Sequence, residues 1–366
     1  MSVTPSSALV DAPFDVHVSG AKPGTPVTLE VSGARSHLGK VWRSSRVVRT
    51  DRNGEADLRD EYLLAELRPV GKAVSDDYLP WTQSLTITAR AGAATATARA
   101  TRLRTFPSVS FQADRPARTG FYGDWYVPRN RRPWFRPDRP AILLLGGSNG
   151  GAPSVLGSLL AAHGFPTLAL AYFREPGLPQ ELKRIPLEYF QRALEWMAAQ
   201  PEVDPKRIVT FGISRGGELS LLLASTYPDL VHGAVGYVSS NWANPSVTGS
   251  SAAWTLKGKE VLGPIPVERI RGPVFVVGAG KDALWPSAFN VRSILEDMQA
   301  AGRNDVTALL YGRAGHRVGS VVPNQPELST KVNSIYGQVD MGGSPAADEA
   351  AREDSWPKLL RFLGHL

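Results

Sequence analysis

Six near-continuous apolar runs, with segments of helical spacing between them, constrain this chain more than any other feature. They occupy 141–145 (AILLL), 167–172 (TLALAY), 207–213 (RIVTFGI), 233–238 (GAVGYV), 273–279 (PVFVVGA) and 306–311 (VTALLY). Strands that are apolar throughout are expected where helices cover both faces of a sheet. Between the runs, Leu187, Phe190, Leu194 and Met197 recur at spacings of three and four, which marks one helix face. A helix over 286–301 would start at Pro286 and stop before Gly302, and a last helix is expected at about 347–364. The pattern predicts a doubly wound, mostly parallel α/β sheet over residues 106–366. Two further β segments, 108–114 and 121–128, should add strands at its edge.

Residues 1–105 have a different texture. Phe14 to Val18 and Val27 to Val31 alternate apolar and polar, and the runs 41–49, 84–90 and 95–103 are rich in Val, Thr, Ile and Arg. Turn signals separate them at Lys22-Pro23-Gly24, Asp51-Arg52-Asn53-Gly54 and Ala91-Gly92. Several short strands in about 100 residues predict an immunoglobulin-like β-sandwich as an N-terminal domain. His17 and His37 fall here without a catalytic constellation around them.

Composition narrows the function classes. The chain has 366 residues, 42% of them hydrophobic and 20% charged, and a net charge of +7. Two domains with large cores are expected at that length. Residues 1–140 hold 21 Lys/Arg against 14 Asp/Glu, and the remainder is balanced. A basic front section on a neutral body argues for a local anionic partner rather than a general nucleic-acid-binding surface. There is no cysteine, which excludes disulfides, thiolate metal sites and a cysteine nucleophile. The first residues lack a basic start and an apolar stretch, and no run nears 18 apolar residues. The expectation is therefore a cytoplasmic protein without a membrane segment.

The chemistry is concentrated at Gly212-Ile213-Ser214-Arg215-Gly216-Gly217. This G-x-S-x-G follows an apolar strand and precedes an apolar helix, the setting of a nucleophile elbow. Gly212 and Gly216 give the clearance that a strained turn needs. A serine hydroxyl needs a base. In hydrolase order the acid follows the serine and the histidine follows the acid. His316 lies in a glycine-containing loop just after the last strand, and Asp282 lies after the strand before it. His163, His232 and His365 are at the wrong end of the sheet or near the terminus. Ser214, Asp282 and His316 are therefore the expected nucleophile, acid and base. The backbone N–H of Arg215 should be one oxyanion donor. The loop Gly146-Gly147-Ser148-Asn149-Gly150-Gly151 should supply the other, with Asn149 the first candidate and Ser148 the second. A phosphate cradle is the rival for that loop, but it has neither G-x-G-x-x-G nor a Walker lysine.

With these motifs in place, the chain resembles the acyl-CoA thioesterase / bile acid-CoA:amino acid N-acyltransferase family. The elbow, the 146–151 loop, Gly280-Lys281-Asp282 with Trp285-Pro286-Ser287, Gly315-His316 and the tail from Gly342 to Leu363 carry the likeness. It covers most of 106–366 and implies an α/β-hydrolase fold. It also implies a serine thioesterase, with acyl transfer from acyl-CoA or a carrier-protein thioester to Ser214 and then to water. In that family the amino-acid transferases look to be those with cysteine at the elbow, and this chain has none. Transfer or cyclisation onto an amine or hydroxyl, and a carboxylesterase or peptidase of the same fold, are the alternatives. No cofactor, metal, nucleic acid or membrane partner is implied, and the oligomeric state is not legible.

Two regions are candidates for substrate contact. Arg131 and Arg132 belong to a basic cluster around Trp134 and Phe135, which could meet CoA phosphates or an acidic carrier, or could simply be a solvated loop. Trp242 and Trp254 lie in the long connection 241–265 after a strand, where an acyl pocket could form.

Overall fold

The computed structural model describes residues 1–59, 63–71, 79–129, 139–249 and 251–366. The chain resolves into two compact units, Met1–Phe106 with Val322–Val339, and Pro107–Val321 with Asp340–Leu366.

The first unit is built of β-strands. One sheet has six strands in the order Ser7–Leu9, Ala94–Leu103, Gln83–Ala91, Pro26–Arg35, Val41–Arg49 and Arg68–Pro69. A three-stranded sheet combines Ser2–Thr4, Asp15–Val18 and Ala56–Arg59. Alternation sets the burial: Val27, Leu29 and Val31 are buried, while Thr28 and Glu30 between them are partly exposed. Phe14, Val16, Leu29, Trp42 and Ile87 share its core. Residues 322–339 group with this unit, although the sequence places them within 106–366. The reason is local packing: Leu328 lies on that core, and Asn324 Nδ2 donates to the Asp11 carbonyl at 3.4 Å.

The second unit is organised around one eight-stranded mixed sheet. Its strands are β1 (Val109–Asp114), β2 (Tyr122–Pro128), β3 (Ala141–Leu145), β4 (Thr167–Ala171), β5 (Ile208–Ile213), β6 (Ala234–Tyr237), β7 (Val274–Ala279) and β8 (Val306–Tyr311). Their order is β1-β2-β4-β3-β5-β6-β7-β8. The β1–β2 and β2–β4 pairs are antiparallel and the rest are parallel. This is an α/β-hydrolase sheet. Every residue of β3, β4, β6 and β7 is buried, as their unbroken apolar sequences require.

Among the described residues, five longer helices accompany the sheet, besides a single helical turn at Pro116–Thr119: α1 (Ser154–Ala162), α2 (Leu187–Ala198), α3 (Arg215–Thr226), α4 (Ser287–Ala300) and α5 (Pro345–His365). Helix α2 buries the periodic residues Leu187, Phe190, Leu194 and Met197. Helix α3 is buried almost all round, from Arg215 to Ser225. Helix α5 starts earlier than the apolar pattern suggests, because Pro345 suits its first turn and Ser344 Oγ caps the Ala347 N–H at 3.3 Å. Among the described residues, no helix is long and apolar enough to cross a membrane. Strands β3, β5, β6, β7 and β8 run parallel, so the loops after them meet along one edge of the sheet.

Candidate active site

Ser214 occupies the single residue between β5 and α3. Its backbone has φ +57° and ψ −120°, a conformation that costs a non-glycine residue about 1–3 kcal/mol. Neighbouring contacts impose it. Ser214 N donates to the Tyr237 carbonyl at 2.9 Å, and the Ser214 carbonyl accepts from Glu218 N at 3.1 Å. A Cβ on Gly212 would stand 1.8 Å from the Gly216 oxygen, and one on Gly216 would stand 2.3 Å from the Gly146 and Leu145 oxygens. Both positions must therefore be glycine. As the first residue of α3, Arg215 has an N–H with no acceptor inside its own helix, at the end where the dipole favours negative charge.

The glycine loop lies against the serine. A Cβ on Gly147 would be 3.4 Å from Ser214 Cβ and 3.8 Å from its Oγ. Tyr172 Oη donates to the Gly146 carbonyl at 2.5 Å and fixes the start of the loop. Gly150 N and Gly151 N already donate, to Gly147 O and Phe173 O. Ser148 follows Gly147 directly, whereas Asn149 is exposed and its carbonyl accepts from Arg174 Nη1 at 3.4 Å.

His316 and Asp282 come together although 34 positions separate them. His316 Nδ1 is 2.8 Å from Asp282 Oδ2, and both side chains are buried. A carboxylate oxygen only accepts, so Nδ1 carries the hydrogen, which in a neutral imidazole leaves the lone pair on Nε2. Asp282 Oδ2 also accepts from Ser287 Oγ at 2.7 Å, and Oδ1 accepts from Leu284 N at 2.9 Å. Trp285 stacks edge-on to His316, with ring centroids 6.1 Å apart, and its Nε1 donates to Val238 O at 2.7 Å.

Three loops interlock to hold this pair. His316 N donates to Met341 O at 2.8 Å, Gly315 N to Asp348 Oδ1 at 2.6 Å and Lys281 N to Ala314 O at 2.9 Å. Gly342 has φ +71°, and a Cβ there would stand 1.9 Å from Lys281 O. The short helical turn His316–Ser320 reaches the elbow: a Cβ on Gly319 would meet Ile213 Cγ2 at 3.0 Å.

Behind the elbow lies a buried polar cluster that sequence patterns do not signal. Glu218 Oε2 accepts from Arg215 Nη1 at 2.8 Å and Asn244 Nδ2 at 2.9 Å. Its Oε1 accepts from Asn244 N at 3.1 Å and Trp254 Nε1 at 2.7 Å. Burial pushes the Glu218 carboxyl up, against the pull of Arg215 and the other donors. Trp254 is fully buried and packs on Tyr172 and Phe190. The candidate pocket residue Trp254 is thus packed in the core, with its indole N–H held by Glu218. Trp242 is 47% exposed, on a two-residue strand paired with Gly263–Pro264. Arg131 and Arg132 lie outside the described residues. Among the described residues, no cluster of three metal-ligating side chains is present.

The family described as BAAT / Acyl-CoA thioester hydrolase C terminal matches residues 185–248 and 252–366. The C-terminal half of the chain is thus similar to that family. The matched region takes in the elbow, Asp282, His316 and the tail loop of Gly342. Among relatives, acyl-coenzyme A thioesterase 6 of Homo sapiens is 28% identical, over 96% of this chain and 93% of its own length. Acyl-coenzyme A amino acid N-acyltransferase 1 of Mus musculus is 25% identical, over 98% and 96%. Among solved structures, a putative dienelactone hydrolase of Klebsiella pneumoniae superposes with a TM-score of 0.47 at 16% identity, covering 70% of this chain and 99% of that one.

Proposed function

We propose that this chain is a serine thioesterase that hydrolyses acyl-CoA through Ser214, His316 and Asp282. The observation that carries the reading is the buried His316 Nδ1 to Asp282 Oδ2 contact of 2.8 Å, on loops anchored beside a strained serine at a helix N-terminus. Full-length relatives named acyl-coenzyme A thioesterases support the choice of substrate.

In this reading His316 Nε2 takes the Ser214 hydroxyl proton as Oγ attacks the thioester carbonyl. Asp282 holds the imidazole in the required tautomer and stabilises the imidazolium. The Arg215 N–H and a donor from the 147–149 segment meet the oxyanion of the tetrahedral intermediate. Collapse expels the CoA thiolate, which takes up the proton from His316. The base then draws a proton from water, and hydroxide attack on the acyl-Ser214 ester releases the acid and restores the hydroxyl. Serine at the elbow favours water over an amino acid as the final acceptor. We read the first unit as an immunoglobulin-like sandwich, supported by its six-stranded and three-stranded β-sheets.

The test is thiol release from acyl-CoA, compared with carrier-protein thioesters, simple esters and peptides. Wild type should release thiol from acyl-CoA, and Ser214→Ala should lose both turnover and acyl-enzyme formation. Preference for a carrier thioester or a simple ester would replace the substrate assignment. Acylation at another residue in Ser214→Ala would sink the nucleophile assignment.

A further inference from the structure

Glu218 has no role in the chemistry proposed above, yet it is the centre of a buried cluster of four donors in the second unit. Its side chain is wholly buried and that of Arg215 is 5% exposed. A buried ion pair is a weak source of stability, since well-packed apolar residues of similar volume often serve as well or better. What such a pair does supply is a defined geometry.

Four donors converge on the carboxylate: a guanidinium, a side-chain amide, a backbone N–H and an indole N–H. None of these atoms can accept a hydrogen bond, so only an acceptor with two oxygens satisfies all of them. Three of the donors come from Asn244 and Trp254, in the long connection after β6. Arg215 reaches the same connection directly, with Nη2 at 2.7 Å from Pro245 O. The side chain of Arg215 is thus clamped at its far end, while its backbone sits in the turn enforced by Gly212 and Gly216.

We infer that Glu218 is a positioning residue, which holds Arg215 and the 240–254 connection so that the Arg215 N–H faces the developing oxyanion. The inference rests on the proposed function only through Ser214 and the Arg215 donor, not through the identity of the substrate. Glutamine at 218 would replace one acceptor oxygen by an NH2 group facing two donors. The clamp would open on that side, and the N–H at its other end would lose its fixed direction. Small displacements of an oxyanion donor are costly, with losses on the order of 10²-fold in rate.

The experiment measures the second-order rate of fluorophosphonate labelling at Ser214 per folded enzyme, alongside kcat and KM on acyl-CoA. Glu218→Gln should label about 10²-fold more slowly, and kcat should fall with KM changed less than about threefold. Trp254→Phe removes a single donor and is the milder variant if Glu218→Gln does not fold. It should label several-fold more slowly while keeping its melting temperature within a few degrees. Leu194→Ala, a core truncation in α2, is the control for a loss of stability alone, and its folded fraction should label at the wild-type rate. A wild-type labelling rate in folded Glu218→Gln or in Trp254→Phe overturns the inference, because a structural residue would lower only the melting temperature. If wild type labels but leaves acyl-CoA intact, the substrate reading fails and the positioning role is still decided by labelling. If wild-type Ser214 does not label, the nucleophile and the inference fall together.

Discussion

Ser287 donates its hydroxyl to Asp282 across 2.7 Å, and the oxygen it reaches is the one that also receives His316. The same hydroxyl accepts from Ala279 N at 3.1 Å, so it ties the end of β7 to Asp282. Ser287→Ala should lower stability by about 1–2 kcal/mol and kcat on the order of tenfold, with KM nearly unchanged. Urea unfolding and steady-state kinetics on one preparation check both. An unchanged kcat would mean that the remaining donors suffice to orient Asp282.

Trp285 packs against the histidine itself. Val238 stands at φ +44°, a strained value for a β-branched residue, and the Trp285 indole N–H holds its carbonyl. Trp285→Phe keeps a ring against His316 but leaves that carbonyl without the indole. The expected loss is about 1 kcal/mol of stability and a several-fold fall in kcat. Thermal melts and the rate of acyl-enzyme formation measure the two effects separately.

Gly342→Ala tests the interlocked loops. The added methyl would overlap Lys281 O, in a left-handed backbone conformation besides. Activity should fall by about 10²-fold or more, because the neighbours of both Asp282 and His316 must move. Gly364→Ala meets nothing within 4 Å on α5 and should retain full activity. Equal activities for the two variants would remove the tail loop from the site.

Acid stability offers a fourth test, away from the chemistry. Arg303 grips Asp305 with two nitrogens, Nε at 2.8 Å and Nη2 at 2.6 Å, and this holds the carboxyl below its ordinary value of 3.8. The unfolded chain therefore binds a proton there more readily than the folded one. The pair's contribution is present above the unfolded value and is lost as pH falls through the lower folded value. Asp305→Asn should be less stable than wild type near neutrality, and the gap should close below about pH 4. Urea midpoints across pH 3 to 7 read this directly.

The strands, the elbow and the two loops bearing Asp282 and His316 were legible because each depends on local signals. Unbroken apolar runs, a glycine two residues on either side of a serine, and strand ends all lie within a few positions of one another. Glu218 was not legible, since a glutamate in the first turn of a helix ordinarily faces water and its four donors are up to 36 positions away. Trp254 misled for the same reason: its loop position points to the site edge, while a distant carboxylate draws it into the core. Ser287 carried a partial signal, as a hydroxyl just after the Pro286 that opens α4. The grouping of 322–339 with the first unit depends on a contact with Asp11 some 313 positions back, which no periodicity reveals.

The clamp at Met341 and Gly342 orders the birth of the enzyme in time. Ser214, Asp282 and His316 all leave the ribosome before the segment whose Met341 carbonyl accepts from His316 N. A nascent chain stalled just short of Met341 would carry all three side chains and yet lack the backbone acceptor for His316 N. Catalytic competence should therefore switch on late in synthesis, as the final helix folds back, rather than growing as each reactive residue emerges.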